Sequence, residues 1–185
     1  MEITKTEIEG VLILSPKVFR DARGYFVETY NAQRYAAAGI GATFVQDNES
    51  MSSKGVVRGL HWQAAPFTQA KLVRVIRGAV WDAVVDIRKG SPTYGKHVSV
   101  VLSAENGLQL FIPRGFAHGF VVMEDETIFS YKCDNPYSPA HERGMRFDDP
   151  ALGIEWPDIG IAPKLSDKDM RHPPLSGIEP GEDMA

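Results

Sequence analysis

Apolar and polar residues alternate at period two in two stretches of the middle of the chain, 72–77 (Leu-Val-Arg-Val-Ile-Arg) and 81–88 (Trp-Asp-Ala-Val-Val-Asp-Ile-Arg). Further strand-like runs follow at 97–102, 107–112, 119–123 and 127–133. Earlier, 11–14 is a short apolar run and 24–30 is aromatic and β-branched. Such runs read as strands. Turn residues separate them, among them Arg77-Gly78, Lys89-Gly90-Ser91-Pro92, Glu105-Asn106-Gly107 and Pro113-Arg114-Gly115. A strand every 8–12 residues or so predicts an all-β sandwich or barrel rather than βαβ units. One helix is predicted over 32–38, stopped by Gly39, a residue suited to the left-handed position after a helix. The last quarter is interrupted by Pro136, Pro139, Pro150, Pro157, Pro163, Pro173 and Pro174. It predicts irregular segments and short helices packed over the barrel, ending in a loose tail over 176–185.

The length of 185 residues fits one domain, 1–185. Hydrophobic residues make up 43% and charged residues 24%, an ordinary globular composition. The net charge of −4 argues against nucleic acid, which needs a concentrated basic face. No apolar run reaches the roughly 18 residues of a membrane span. The single cysteine, Cys133, rules out an intrachain disulfide, and 1–5 lacks the apolar core of a signal peptide, so a cytoplasmic location is expected. Within this acidic chain Arg58, Lys71, Arg74 and Arg77 lie close together in sequence, which suits a small anionic ligand.

The chemistry concentrates in Arg58-Gly59-Leu60-His61-Trp62-Gln63 and, a short loop later, Gln69-Ala70-Lys71. Gly55 with His61, and Gly107 with Pro113-Arg114-Gly115-Phe116-Ala117-His118, resemble the two half-motifs of the cupin jelly rolls. They imply a double-stranded β-helix with His61 and His118 in one barrel mouth. A metal site would need more ligands. Gln63 stands where the second histidine would be, Phe67 and Thr68 where a carboxylate would follow, and His97, His141 and His172 have no paired spacing. The barrel is therefore read as metal-free, with no cofactor. Histidine is the side chain best suited to general-base work near neutral pH, which makes His61 the candidate base. Lys71 could stabilise a developing oxyanion, and Tyr131 could return a proton from the opposite face. The plainer alternatives are a structural His61, a strand-capping His118, a solvated Lys71, a core Tyr131 and an Asp169 that is only a first-turn helix charge.

Seven stretches, in order, resemble the dTDP-4-dehydrorhamnose 3,5-epimerase family over nearly the whole chain: 21–28, 46–48, 58–63, 69–73, 85–95, 113–120 and 165–169. The resemblance implies His61 as the base, held by a carboxylate matching Asp169, with Asp167 nearby as the other candidate. It implies Tyr131 as the acid and Lys71 as the enolate stabiliser. Arg58 and Arg23 would bind the diphosphate and sugar, Glu28, Gln46, Asn48 and His118 would line the pocket, and Phe26 and Tyr137 would flank the nucleotide. It further implies a homodimer whose jelly rolls exchange N-terminal strands, so that Arg23, Phe26 and Glu28 serve the neighbour's site. The implied reaction converts dTDP-4-keto-6-deoxy-D-glucose to dTDP-4-keto-L-rhamnose at C3 and C5. A 3-only or 5-only epimerase is the near alternative, a metal-dependent cupin oxygenase the more distant one. Trp62 replaces the family's usual phenylalanine or tyrosine, and Ala64-Ala65-Pro66-Phe67 a more proline-rich loop.

Overall fold

The computed structural model describes residues 1–178. In chain order the elements are β1 (Glu2–Lys5), β2 (Leu12–Ser15), β3 (Val18–Asp21), β4 (Gly24–Val27), α1 (Ala32–Ala37), β5 (Gln46–Ser52), β6 (Val57–Gln63), β7 (Lys71–Arg77), β8 (Ala79–Asp86), β9 (His97–Ser103), β10 (Gln109–Ile112), β11 (Phe116–Val122), β12 (Thr127–Cys133) and β13 (Glu142–Gly144). One sheet runs β1-β2-β10-β7-β12-β5, a second β13-β6-β11-β8-β9, and β3-β4 stands apart as a hairpin. All pairings within these strands are antiparallel, as a jelly roll requires.

The two sheets close on an apolar core. Val73, Val75, Leu110, Ile112 and Phe129 of the first meet Val80, Val84, Leu102, Phe116, Phe120 and Val122 of the second. Phe120 and Phe129 stack at 4.2 Å between ring centroids. Both outer faces are also partly covered. The proline-broken last quarter lays Met145, Leu152, Trp156, Leu175 and Ile178 over Leu60, Trp62, Val85 and Ala117. Tyr35 and Ile40, from α1 and just beyond it, cover Leu14, Leu72 and Phe111. This double burial explains why every residue of β11 is buried. The expected tail is tied down as far as Ile178, and 179–185 lie outside the described residues.

Differences from the expected strand limits have local causes. β8 ends at Asp86 because its carboxylate accepts the backbone N–H of Arg88 at 2.9 Å and bends the chain away. β4 stops at Val27, and Tyr30 packs edge-on to Tyr35 and Phe44 instead of extending it. β5 carries no apolar alternation, yet it pairs with β12 along its whole length. Gly59, at φ +119°, sits where β6 crosses β11: a Cβ there would lie 2.5 Å from the Gly119 Cα.

Candidate active site

Both sheets contribute to one mouth. Antiparallel register puts His61 of β6 directly opposite His118 of β11, which joins the two half-motifs in one place. A cavity of about 510 Å³ opens there, lined by Arg58, His61, Lys71, His118, Tyr131 and Glu142 and closed on one side by 164–169. A second cavity of about 250 Å³ shares His61, Lys71, Tyr131 and Glu142 and adds Gln46, Asn48 and Tyr137. Eight of the side chains singled out in the sequence thus converge: His61, Lys71, Tyr131, Arg58, His118, Gln46, Asn48 and Tyr137. Asp169 joins them from the chain's far end.

His61 Nε2 is hydrogen-bonded to Asp169 Oδ1, so of the two candidate carboxylates the structure pairs Asp169 with it. Asp169 opens a short 3₁₀ turn (Asp169–Arg171), and Ser166 fixes it twice, donating from Oγ to Oδ2 at 2.8 Å and accepting the Asp169 N–H at 3.1 Å. Burial works to raise the Asp169 pKa. Its hydrogen bonds with His61 and Ser166 and the charge of His61 outweigh burial and hold the carboxyl below its ordinary value. The pairing occupies Nε2 and leaves Nδ1 for chemistry.

Lys71 has no hydrogen-bond or ion-pair partner among the described residues, and burial pushes its ammonium down, against the pull of Cys133, Asp82 and Glu142. An incoming negative charge would be its first close partner. Tyr131, pushed up by burial, keeps its phenolic proton at neutral pH and can act as a donor. Arg58 is steadied by Ser52 Oγ at 3.1 and 3.3 Å. His118 Nε2 bonds the fully buried Asp82 at 2.9 and 3.0 Å, a second imidazole–carboxylate pair behind the cavity wall. Burial raises the Asp82 pKa, and the neighbouring His118 and Lys71 oppose this.

Several residues in or beside the site carried no signal in the sequence. Glu142, on the edge strand β13, accepts Tyr137 Oη and pairs with Lys168 Nζ, both at 2.5 Å. Burial would raise its pKa, but those two partners hold it below the ordinary value; in return the Tyr137 phenol is pushed up to about 12. Asp82 was legible only as a strand residue. His172 lies beside Asp169 although nothing in its spacing suggested a partner.

Three expected residues are elsewhere. Arg23 is exposed and chelated by Asp21 at 2.6 Å, Phe26 is 69% exposed on the β3-β4 hairpin, and Glu28 pairs with Arg34 at 2.9 Å. None lines either cavity beside His61.

A histidine held by a carboxylate, a lysine ammonium unpaired among the described residues and a protonated phenol around one cavity make a site suited to moving protons at carbon next to a carbonyl. The family comparison agrees. The dTDP-4-dehydrorhamnose 3,5-epimerase profile matches residues 5–177, and the chain belongs to that family. It is 55% identical over 171 residues to the Shigella flexneri dTDP-4-dehydrorhamnose 3,5-epimerase, covering 92% of this chain and 93% of that one. It superposes at a TM-score of 0.92, with 47% identity and coverage of 96% and 94%, on a dTDP-6-deoxy-D-glucose-3,5-epimerase of Legionella pneumophila Philadelphia 1 in complex with dTDP-4-keto-L-rhamnose. A 3'-monoepimerase of Streptomyces bikiniensis in complex with dTDP-quinovose is also similar, at TM-score 0.87 and 35% identity, with coverage of 96% and 88%. The chain is an isomerase of the epimerase class.

Proposed function

We propose that this protein epimerises dTDP-4-keto-6-deoxy-D-glucose at C3 and C5 to give dTDP-4-keto-L-rhamnose. The observation that carries the reading is the His61–Asp169 pair lining one cavity with Lys71 and Tyr131. C3 and C5 are both alpha to the same C4 carbonyl. His61 Nδ1 takes the proton from carbon, the electron pair moves onto the C4 oxygen, and the Lys71 ammonium stabilises the enolate. Tyr131 then returns a proton to the opposite face. Because the charge appears on the same oxygen both times, one stabiliser serves two centres. Arg58 holds the diphosphate, and the polar side chains of Gln46 and Asn48, with Tyr137, line the neighbouring cavity on the nucleotide side. Remote binding of that nucleotide positions a small sugar with few handles of its own.

The working unit in this reading is a cytoplasmic homodimer. Its β3-β4 hairpin, with Glu28 just beyond it, delivers Arg23, Phe26 and Glu28 to the partner's cavity, which accounts for three aromatic rings, Phe19, Tyr25 and Phe26, lying half or more exposed on it. Epimerisation at a single carbon is the second reading, favoured by the likeness to the 3'-monoepimerase. Solvent exchange in heavy water separates the two: deuterium enters at both C3 and C5 for the double epimerase and at one carbon for the single. Folded protein that exchanges neither carbon would sink both.

A further inference from the structure

We propose that His61, Asp169 and His172 form a capture site for a divalent metal ion of the zinc class, and that the ion switches the base off. The proposal rests on the reading of His61 as the base. One donor atom from each of the three side chains lies within 4.8 Å of the other two. His172 Nε2 is buried without a hydrogen-bond partner among the described residues, 3.6 Å from Asp169 Oδ1. That separation is too long for a hydrogen bond. It matches two ligands on one tetrahedral ion, whose bonds of about 2.0–2.2 Å set ligand atoms roughly 3.3–3.6 Å apart. Both imidazoles address the same oxygen, Oδ1, while Oδ2 is occupied by Ser166.

The position of the second imidazole is built in. Its ring stands edge-on to His61 at 5.5 Å and 71°, and it fills the space a side chain at residue 144 would need: a Cβ on Gly144 would lie 2.4 Å from His172 Nε2. Two imidazoles and a carboxylate suit zinc and its neighbours among the late first-row metals. Loading requires His61 Nε2 and Asp169 Oδ1 to part and the two imidazoles to settle at tetrahedral ligand spacing around the ion. The fourth coordination position is left for water.

The consequence follows from imidazole chemistry. With Nε2 bound to a metal, neutral His61 carries its proton on Nδ1, and neither nitrogen keeps a lone pair for a proton from carbon. Loading replaces the Nε2–H···Oδ1 hydrogen bond by coordination and moves the imidazole proton from Nε2 to Nδ1 through solvent, and removal of the ion by a chelator reverses both changes.

Zinc chloride titrated against a chromophoric chelator, alongside deuterium exchange into the sugar, tests this. The expected result is one zinc per chain, loss of exchange in step with occupancy, and recovery with EDTA. His172→Asn should bind zinc at least tenfold more weakly, keep the metal-free exchange rate and resist zinc. Gly144→Ala, which displaces the His172 ring while keeping all three ligands, should also weaken binding. Absent zinc binding, or equal binding by wild type and both variants, overturns the site. Binding that depends on His172 but leaves exchange untouched overturns the switch. If metal-free protein shows no exchange at all, the epimerase reading fails, while the zinc titration still decides the site.

Discussion

In the proposed reaction each nitrogen of His61 has its own duty: Nε2 is held by Asp169, which leaves Nδ1 to meet the substrate. Asp169→Asn keeps the size but removes the charge, so solvent exchange at carbon should fall by roughly 10²–10⁴ with substrate binding little changed, as single-turnover kinetics would show. Tyr131→Phe should behave differently. Proton removal by His61 survives, so deuterium still enters at carbon, while inversion falls by roughly 10²–10⁴. Lys71 and Tyr131 also fix the alkaline behaviour. Burial lowers the Lys71 ammonium from its ordinary 10.5 and raises the Tyr131 phenol from 10, so loss of the ammonium contributes to the alkaline limb. A pH–rate profile of Lys71→Arg, whose guanidinium stays charged, should show slower turnover but an alkaline limb moved upward. His61 and Lys71 are legible in a short motif, Tyr131 as a strand phenol and Asp169 through the resemblance; all four line one cavity. Glu142 and His172 were not legible. Glu142 reaches the cavity from a short edge strand and is paired by Lys168 across the fold. His172 lines neither cavity and meets Asp169, three residues before it, in a turn that no spacing signal marked.

At the scale of elements, the strands that bury apolar side chains were the readable ones. β12 follows the expected 127–133, with Thr127, Phe129 and Cys133 turned inward. β5 hid itself because its polar side chains face cavities and solvent: Gln46, Asn48 and Glu49 line cavities, and Asp47 pairs with Lys132 at 2.8 Å. A strand that serves a site does not look like one that serves a core. The turn after β8 carries its own prediction. Asp86 is fully buried and accepts from Arg88, Ser91 and Thr93 at 2.6–3.0 Å. Burial pushes its pKa up, but these donors prevail and bring it to about 2. The folded pKa lies below the unfolded 3.8, so the stabilisation is complete above about pH 4 and disappears as pH falls toward 2. Asp86→Asn should therefore cost about 2 kcal/mol in urea unfolding at pH 7, and the gap to wild type should narrow across that acid window. Gly59→Ala is the backbone counterpart. It forces a Cβ into Gly119, so a loss of several °C in Tm is expected in calorimetry.

On the scale of the whole molecule, the β3-β4 hairpin stands apart from both large sheets of its own chain. Arg23, Phe26 and Glu28 sit in a family motif, yet none lines the cavities around His61, and the hairpin that carries Arg23 and Phe26 exposes Phe19, Tyr25 and Phe26 by 52%, 64% and 69%. A monomeric enzyme gains nothing from such a surface, whereas an exchanged hairpin buries it and completes a neighbour's pocket. Complementation distinguishes the two arrangements. His61→Ala destroys the base but keeps the hairpin, and Arg23→Ala does the reverse, so each homodimer should be nearly inactive. If the hairpin crosses to the partner, unfolding and refolding the two together yields mixed dimers in which one site has both an intact His61 and an intact Arg23. Random pairing makes half the dimers mixed, with one good site of two, so roughly a quarter of wild-type activity should return. If instead the hairpin folds back onto its own chain, every site in every mixed dimer lacks one residue or the other. Activity then stays at the level of the separate variants, and the exchanged dimer is refuted even if sedimentation shows that two chains associate.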